Sequence, residues 1–140
     1  MIQMIYASAA AQPFPPESLR VLLSKARVRN AIYGVSGMLL YHSGSFLQVV
    51  EGPEEHVDRI IDSVFRDPRH VNTRTLSRQS IASREFEAWS MGFVDTTLVL
   101  TQPTGHVDYH RALPSLTDTG TRARQFLRFF QEGLYRQYSV

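Results

Sequence analysis

The sequence predicts an α+β fold, a βαββαβ sandwich with an extra fifth strand and a C-terminal helical extension. Two segments with helical apolar spacing alternate with short runs of strand formers, and two of those runs flank a lone Gly44 as a tight hairpin does. The chain has 140 residues, 43% apolar and 20% charged, which suits one core and leaves no room for two full domains.

Ile2 to Ser8 is apolar and rich in strand formers, and the Pro13, Pro15 and Pro16 cluster stops it. From Glu17 to Asn30, Leu19, Leu22, Leu23 and Ala26 fall at helical spacing behind a proline suited to the first turn. Gly34 breaks the chain. VSGMLLYHS and SFLQVVE then flank Gly44 as the second and third strands. Gly52 and Pro53 end the hairpin, and Val57, Ile60, Ile61 and Val64 repeat at i, i+3, i+4 and i+7, which predicts the second helix. Asp67 to His70 reads as a turn, Asn72 to Ser83 as a fourth strand, Trp89 to Val94 as a fifth, and Thr101 to Gly105 as a linker.

This order is that of the ferredoxin-like fold. Right-handed crossovers place both helices on one face of the sheet, and the first and third strands are expected to be central, adjacent and parallel. The other face needs a cover. The tail, with Phe126, Phe129, Phe130 and Leu134, either supplies it or forms a homodimer contact. Residues 1–95 thus form the principal domain and 96–140 its helical extension.

Cysteine is absent, which excludes disulfides, zinc ribbons, iron–sulfur sites and thiol nucleophiles. No apolar run approaches the ~18 residues of a membrane span, and MIQMIYASAA carries no basic segment ahead of a long apolar one, so a cytoplasmic protein without a membrane partner is expected. The formal charge is +2. Residues 1–95 balance ten Lys and Arg against ten Asp and Glu, and the whole excess lies in the tail. There Arg122, Arg124, Arg128 and Arg136 share a segment with Phe126, Leu127, Phe129, Phe130 and Leu134, a pattern that reads as a solvated helix face in preference to a phosphate-binding stripe.

Two polar residues stand in apolar strands. Phe46, Gln48 and Val50 share one face of the third strand, and Leu47, Val49 and Glu51 the other. Glu51 is expected to face water, which turns Gln48 toward the helices and the core, where each unmet hydrogen bond costs roughly 1–3 kcal/mol. Tyr6, in phase with Ile2 and Met4, could meet the amide from a parallel first strand. Such a pair is either an ordinary satisfied core hydrogen bond or a functional one, unless the phase is reversed and Gln48 is solvated. Asn30 reads as a left-handed helix cap, His70 as a surface turn residue, and Trp89 and Met91 as core residues or cofactor contacts.

No hydrolase, metalloprotease, phosphate-loop or dinucleotide motif is present, so no enzyme is expected. Of five His, only His106 and His110 have i, i+4 spacing, and no metal site is expected. An RNA-recognition sheet needs exposed aromatics in a basic, Gly-containing strand, and SFLQVVEG lacks them, which argues against nucleic acid. The alternative reading is an RNA- or metabolite-binding module that uses the basic tail helix. A small flavin-dependent enzyme has no residue pattern in its favour.

Several motifs, in order, resemble the BLUF family of blue-light sensors using flavin. Ile5-Tyr6-Ala7-Ser8 is similar to its opening strand, Arg29-Asn30 with Gly34-Val35-Ser36-Gly37 to its asparagine and glycine turn, and Phe46 to Pro53 to its most distinctive strand. Arg66 to His70, and Arg84-Glu85-Phe86 with Trp89-Ser90-Met91-Gly92, resemble its later turn and final strand. The resemblance covers residues 2–94. It implies FAD, with FMN or riboflavin as alternatives, held non-covalently between the two helices. Asn30 and Gln48 would hydrogen-bond its polar edge, Leu22 and Val64 would sandwich the ring, and Phe46 would pack beside it. Asp67, Arg69 and His70 would lie toward the ribityl–phosphate side. It further implies that light draws an electron and a proton from Tyr6, the proton by way of Gln48, and that Gln48 then rotates or tautomerises. The signal would leave through Trp89 and Met91. Ala9, Ala26 and Ser36 stand where the family more often has Arg, Ser and Thr. Ending at Val140, the chain resembles the short stand-alone members, whose output goes to a separate protein partner, here by way of residues 96–140.

Overall fold

The computed structural model describes residues 1–12, 14–86, 92–95 and 121–136. Its elements are β1 (Ile2–Ala10), α1 (Pro16–Tyr33), β2 (Ser36–His42), β3 (Ser45–Gly52), α2 (Glu54–Arg66), β4 (His70–Ser80), β5 (Gly92–Asp95) and α3 (Arg122–Gln131). The strands form one sheet in the order β4-β1-β3-β2-β5. β5 runs parallel to β2, opposite Met38 to Tyr41. Trp89, Met91 and the Thr101 to Gly105 linker lie outside the described residues.

The expected parallel pairing of the first and third strands is corrected: β1 and β3 are antiparallel, with Tyr6 directly opposite Gln48. The cause is the hairpin. The crossover through α1 sends β2 in the same direction as β1, and a tight turn then reverses the chain so that β3 inserts between them. That turn has only Ser43 and Gly44 between the paired His42 and Ser45, both with positive φ (45° and 88°), the conformation of a two-residue hairpin whose twist matches its strands.

The first helix also runs further than its spacing suggests. Asn30 is helical, α1 continues to Tyr33, and Gly34 at φ 65° takes the left-handed cap expected of Asn30. α2 buries Val57, Ile60, Ile61 and Val64, as its periodicity predicts, with Glu54 and Glu55 in the first turn, where the helix dipole favours them.

Two apolar cores lie on opposite faces of the sheet. One joins Ile2, Met4, Tyr6, Phe46 and Val50 to Leu19 and Leu23 of α1 and to the buried stripe of α2. The other joins Ile5, Ala7, Met38, Leu40, Leu47 and Val49 to Phe86 and to Ala123, Leu127 and Phe130 of α3. The cover is therefore the tail helix, through a narrower stripe than expected. Phe126 is only partly buried and Leu134 is 54% exposed. Two of its arginines and one just beyond its end turn back onto the protein: Arg122 donates to Ser77 Oγ (3.2 Å), Arg124 Nε lies 3.6 Å from Glu85, and Arg136 donates to the Phe130 carbonyl (2.8 Å).

With both faces covered, every residue of β1 and β3 is buried. This overturns the expectation that Glu51 faces water. Its side chain is on the α3 face, fully buried, where Oε2 accepts from Gln3 Nε2 (3.1 Å) and Oε1 from the Phe86 N–H (2.5 Å). Burial raises its pKa above the usual carboxylate range, against the opposing pull of those hydrogen bonds. Gln48 nonetheless faces the helices. The predicted orientation holds although one reason for it does not.

Candidate functional site

A cleft of about 390 Å³ opens between α1 and α2 above the sheet. That is within the roughly 300–1,000 Å³ of small-molecule sites. β1 supplies Tyr6 and Ser8 to its lining, β2 Leu39, and β3 Phe46 and Gln48. Period-2 alternation accounts for this set, because Tyr6 and Ser8 are two apart on one strand, Phe46 and Gln48 on another, and Leu39 pairs directly with Gln48.

Tyr6 donates its hydroxyl hydrogen to Gln48 Oε1. Tyr6 is 1% exposed, and burial pushes its phenol pKa far up, with the charge of Arg29 only partly opposing this, so the hydroxyl keeps the proton that the bond requires. Gln48 is 8% exposed and lines the cleft. The amide therefore lies between a phenol and any occupant. Its two ends have opposite hydrogen-bonding character in nearly the same shape, so a turn of the side chain exchanges donor and acceptor without altering the packing.

Leu22 of α1 and Val64 of α2 line the cleft from different helices. Phe46 lies at its base, with its ring 5.2 Å from that of His70 and 4.9 Å from that of Tyr41. His70 is not the surface turn residue its position suggests. It begins β4, its Nδ1 lies 3.0 Å from Ser8 Oγ, and burial holds its pKa below the usual histidine value despite the nearby Asp67 carboxylate. Arg69 clasps Asp67, Nη2 to Oδ2 at 2.6 Å and Nε to Oδ2 at 3.0 Å, which holds that carboxyl below its usual range.

Eight of the nine residues expected to touch a cofactor thus line one cleft: Tyr6, Leu22, Phe46, Gln48, Val64, Asp67, Arg69 and His70. The ninth, Asn30, is fully buried in the last turn of α1 and is not part of the lining; Arg29, which is, lies with Nε 3.4 Å from Asn30 Oδ1. Lys25, Arg29 and Ser63 are lining residues that sequence reasoning did not select. Lys25 and Arg29 follow Leu22 at i+3 and i+7, a spacing that could have revealed them.

Residues 1–92 match the family model described as BLUF, sensors of blue-light using FAD. The chain belongs to the BLUF family. A photoactivated adenylate cyclase subunit alpha of Euglena gracilis is 35% identical over 64% of this chain, and 9% of that relative is matched. The blue light- and temperature-regulated antirepressor BluF of Escherichia coli (strain K12) is 32% identical over 91% of this chain and 32% of its own length. The chain thus spans a third or less of these curated relatives. Among solved structures, Klebsiella pneumoniae BlrP1 with FMN and cyclic diGMP is 29% identical with a TM-score of 0.76, over 94% of this chain and 34% of that one. The dark-state structure of BlrB, a BLUF protein, is 25% identical with a TM-score of 0.68, over 95% of this chain and 96% of that one.

BLUF domains are photosensors that bind a flavin, and the cleft has the chemistry such a group needs. Leu22 and Val64 offer apolar walls, the Tyr6–Gln48 pair a polar anchor, and Lys25, Arg29 and Arg69 cations for an anionic tail. Among the described residues no three His, Cys, Asp or Glu cluster as a metal site, and no helix is long and apolar enough to cross a membrane.

Proposed function

We propose that this protein is a blue-light switch in which Tyr6 and Gln48 are the photoactive pair, the flavin lying between α1 and α2. The observation that carries this reading is the buried hydrogen bond from the Tyr6 hydroxyl to Gln48 Oε1 at a cleft of suitable size. When bound, the flavin supplies light absorption and one-electron chemistry. The chain's own part is to hold a protonated phenol and a reversible amide beside it. With the flavin bound, Tyr6 would give up an electron to it and its hydroxyl proton by way of Gln48, and once both had returned to Tyr6 the amide would remain turned.

In this reading the remaining roles are those that the family resemblance implies. Leu22 and Val64 sandwich the ring, Phe46 packs beside it, Asn30 joins Gln48 at the polar edge, and Asp67, Arg69 and His70 lie toward the ribityl–phosphate side. The turned amide alters what packs against β3, and Trp89 and Met91 pass this change to residues 96–140, which address a separate protein partner. Residues 1–95 are the sensor, and no catalytic turnover is assigned to it. The rival reading, an RNA-binding module using the tail arginines, loses support because Arg122, Arg124 and Arg136 contact the protein itself.

The test is an absorption spectrum of the flavin-loaded protein before and after blue light. The wild type shifts reversibly to longer wavelength. Gln48→Leu binds flavin without that shift, and a normal shift in this variant would overturn the mechanism.

A further inference from the structure

α1 is apolar on two sides, and the fold uses one of them. Leu19 and Leu23 are buried on the sheet side, while Val21, Val28 and Ile32 are 47%, 63% and 73% exposed. A helix packed by one face normally carries polar residues on the other. α2 obeys this: outside its buried stripe, Phe65 is its one large exposed apolar residue. Neither core packing nor helix propensity accounts for three β-branched side chains on the outside of α1, because such residues lose side-chain freedom in a helix.

The three share a spacing. With Lys25 among them, positions 21, 25, 28 and 32 follow steps of four, three and four, the seam through which one α-helix receives another. Ser24 and Ala31, both small and exposed, border the seam on one side and let a second helix approach. Ser24, Lys25, Val28, Arg29, Ile32 and Tyr33 line an open groove of about 510 Å³ along it.

Charge selects the occupant. α1 carries Arg20, Lys25, Arg27 and Arg29 against a single carboxylate, Glu17, which lies 3.3 Å from Arg20. A second copy docking by the same face would set these cations against themselves. Helices that lie on lipid bury Trp, Phe or Leu, and none of these is among the exposed residues of α1. A nucleic-acid backbone asks for cations and has no use for the apolar seam. A helix whose apolar stripe is bordered by carboxylates satisfies both parts of the surface.

We propose that the outer face of α1 docks an acidic amphipathic helix of a partner protein, with Val21, Val28 and Ile32 in the seam and Lys25 paired to a carboxylate. This surface is additional to the tail, because α1 and α3 cover opposite faces of the sheet. Lys25 and Arg29 also form part of the wall of the first cleft, so a docked helix rests on side chains that the two sites share.

The experiment titrates the full-length protein, in the dark, with a synthetic amphipathic helix as long as α1, 18 residues, that has leucine in its seam and glutamate beside it. A twin peptide with lysine in place of glutamate is the control. The acidic peptide binds at least about tenfold more tightly than its twin at low salt, and the ratio shrinks as salt is raised. Amide shifts in the protein's NMR spectrum fall on residues 20–33. Val28→Asp with Ile32→Asp, both at exposed positions, keeps the wild-type melting curve and weakens the acidic peptide at least about tenfold. Val28→Ser with Ile32→Ser, which adds no charge, weakens it in the same direction. Equal binding of the two peptides, or amide shifts centred away from α1, overturns the proposal. So does self-association of the wild type that the double variant loses, which assigns the face to a second copy, or a variant-sensitive attachment to phosphatidylserine vesicles, which assigns it to a lipid surface.

Discussion

Tyr6 and Gln48 are direct cross-strand partners: they face each other in the antiparallel β1–β3 pairing, and the phenol donates to the amide oxygen. Directly opposed residues place their Cβ atoms on one face, about 4.5–5.5 Å apart, so the sheet itself sets the reach of this hydrogen bond. The ladder shift between Ile5 and Tyr6 on the β4 side falls beside the same residue, where an irregularity re-aims side chains.

Tyr6→Phe removes that hydrogen bond and leaves the ring's packing in place. Unfolding free energy falls by about 1 kcal/mol in urea titration, the usual net value of one such bond. The light-induced red shift disappears from the difference spectrum. A variant with the full shift would remove Tyr6 from the photochemistry.

Glu51 gives stability a slope with pH. Burial raises its folded-state pKa above the ordinary 4.5, so the folded protein holds this proton more tightly than the unfolded chain does. Its contribution is full below about pH 4.5 and is lost as pH rises through the raised value. Urea midpoints of wild type and Glu51→Gln, compared across that window, show the wild type losing ground to the variant as pH rises. Parallel profiles would refute the assignment.

His70 acts in the opposite direction. Burial lowers its pKa, with Asp67 partly opposing and Arg69 reinforcing, so the folded state favours the neutral ring. The associated stability is present above about pH 6.5 and falls away as pH drops through the depressed value. His70→Gln flattens acid destabilisation in that range, measurable by thermal melts at stepped pH.

Leu127→Ala opens a cavity under α3 and costs about 2–5 kcal/mol, read from urea unfolding. Because Leu127 packs in the core on the far face from the cleft, flavin affinity stays at the wild-type value while amide exchange along α3 accelerates. A matching loss of flavin affinity would show that the two faces are coupled in the dark.

Much of the candidate site was legible in the strands. Alternation alone puts Tyr6 in phase with Met4 and Gln48 in phase with Phe46, and the i, i+3, i+4 spacing of α2 announces Val64 as inward-facing. Helix length was less legible, because the signal that ends α1 is the left-handed backbone of Gly34, four residues beyond the asparagine that imitates a cap. His70 was misread because a turn-like sequence says nothing of the Phe46 ring and Ser8 hydroxyl that cover it.

By itself the sequence determined which segments become strands and helices, and which side chains share a face, since both follow from local periodicity. Only the tertiary structure decided that β3 runs antiparallel to β1, that Glu51 is buried rather than hydrated, and that Lys25 and Arg29 reach the same cleft as Arg69. Strand direction is a property of the whole crossover and hairpin, and burial depends on what covers the second face. For Glu51 that cover is Phe86 and a helix some seventy residues further along the chain, beyond the reach of any local pattern.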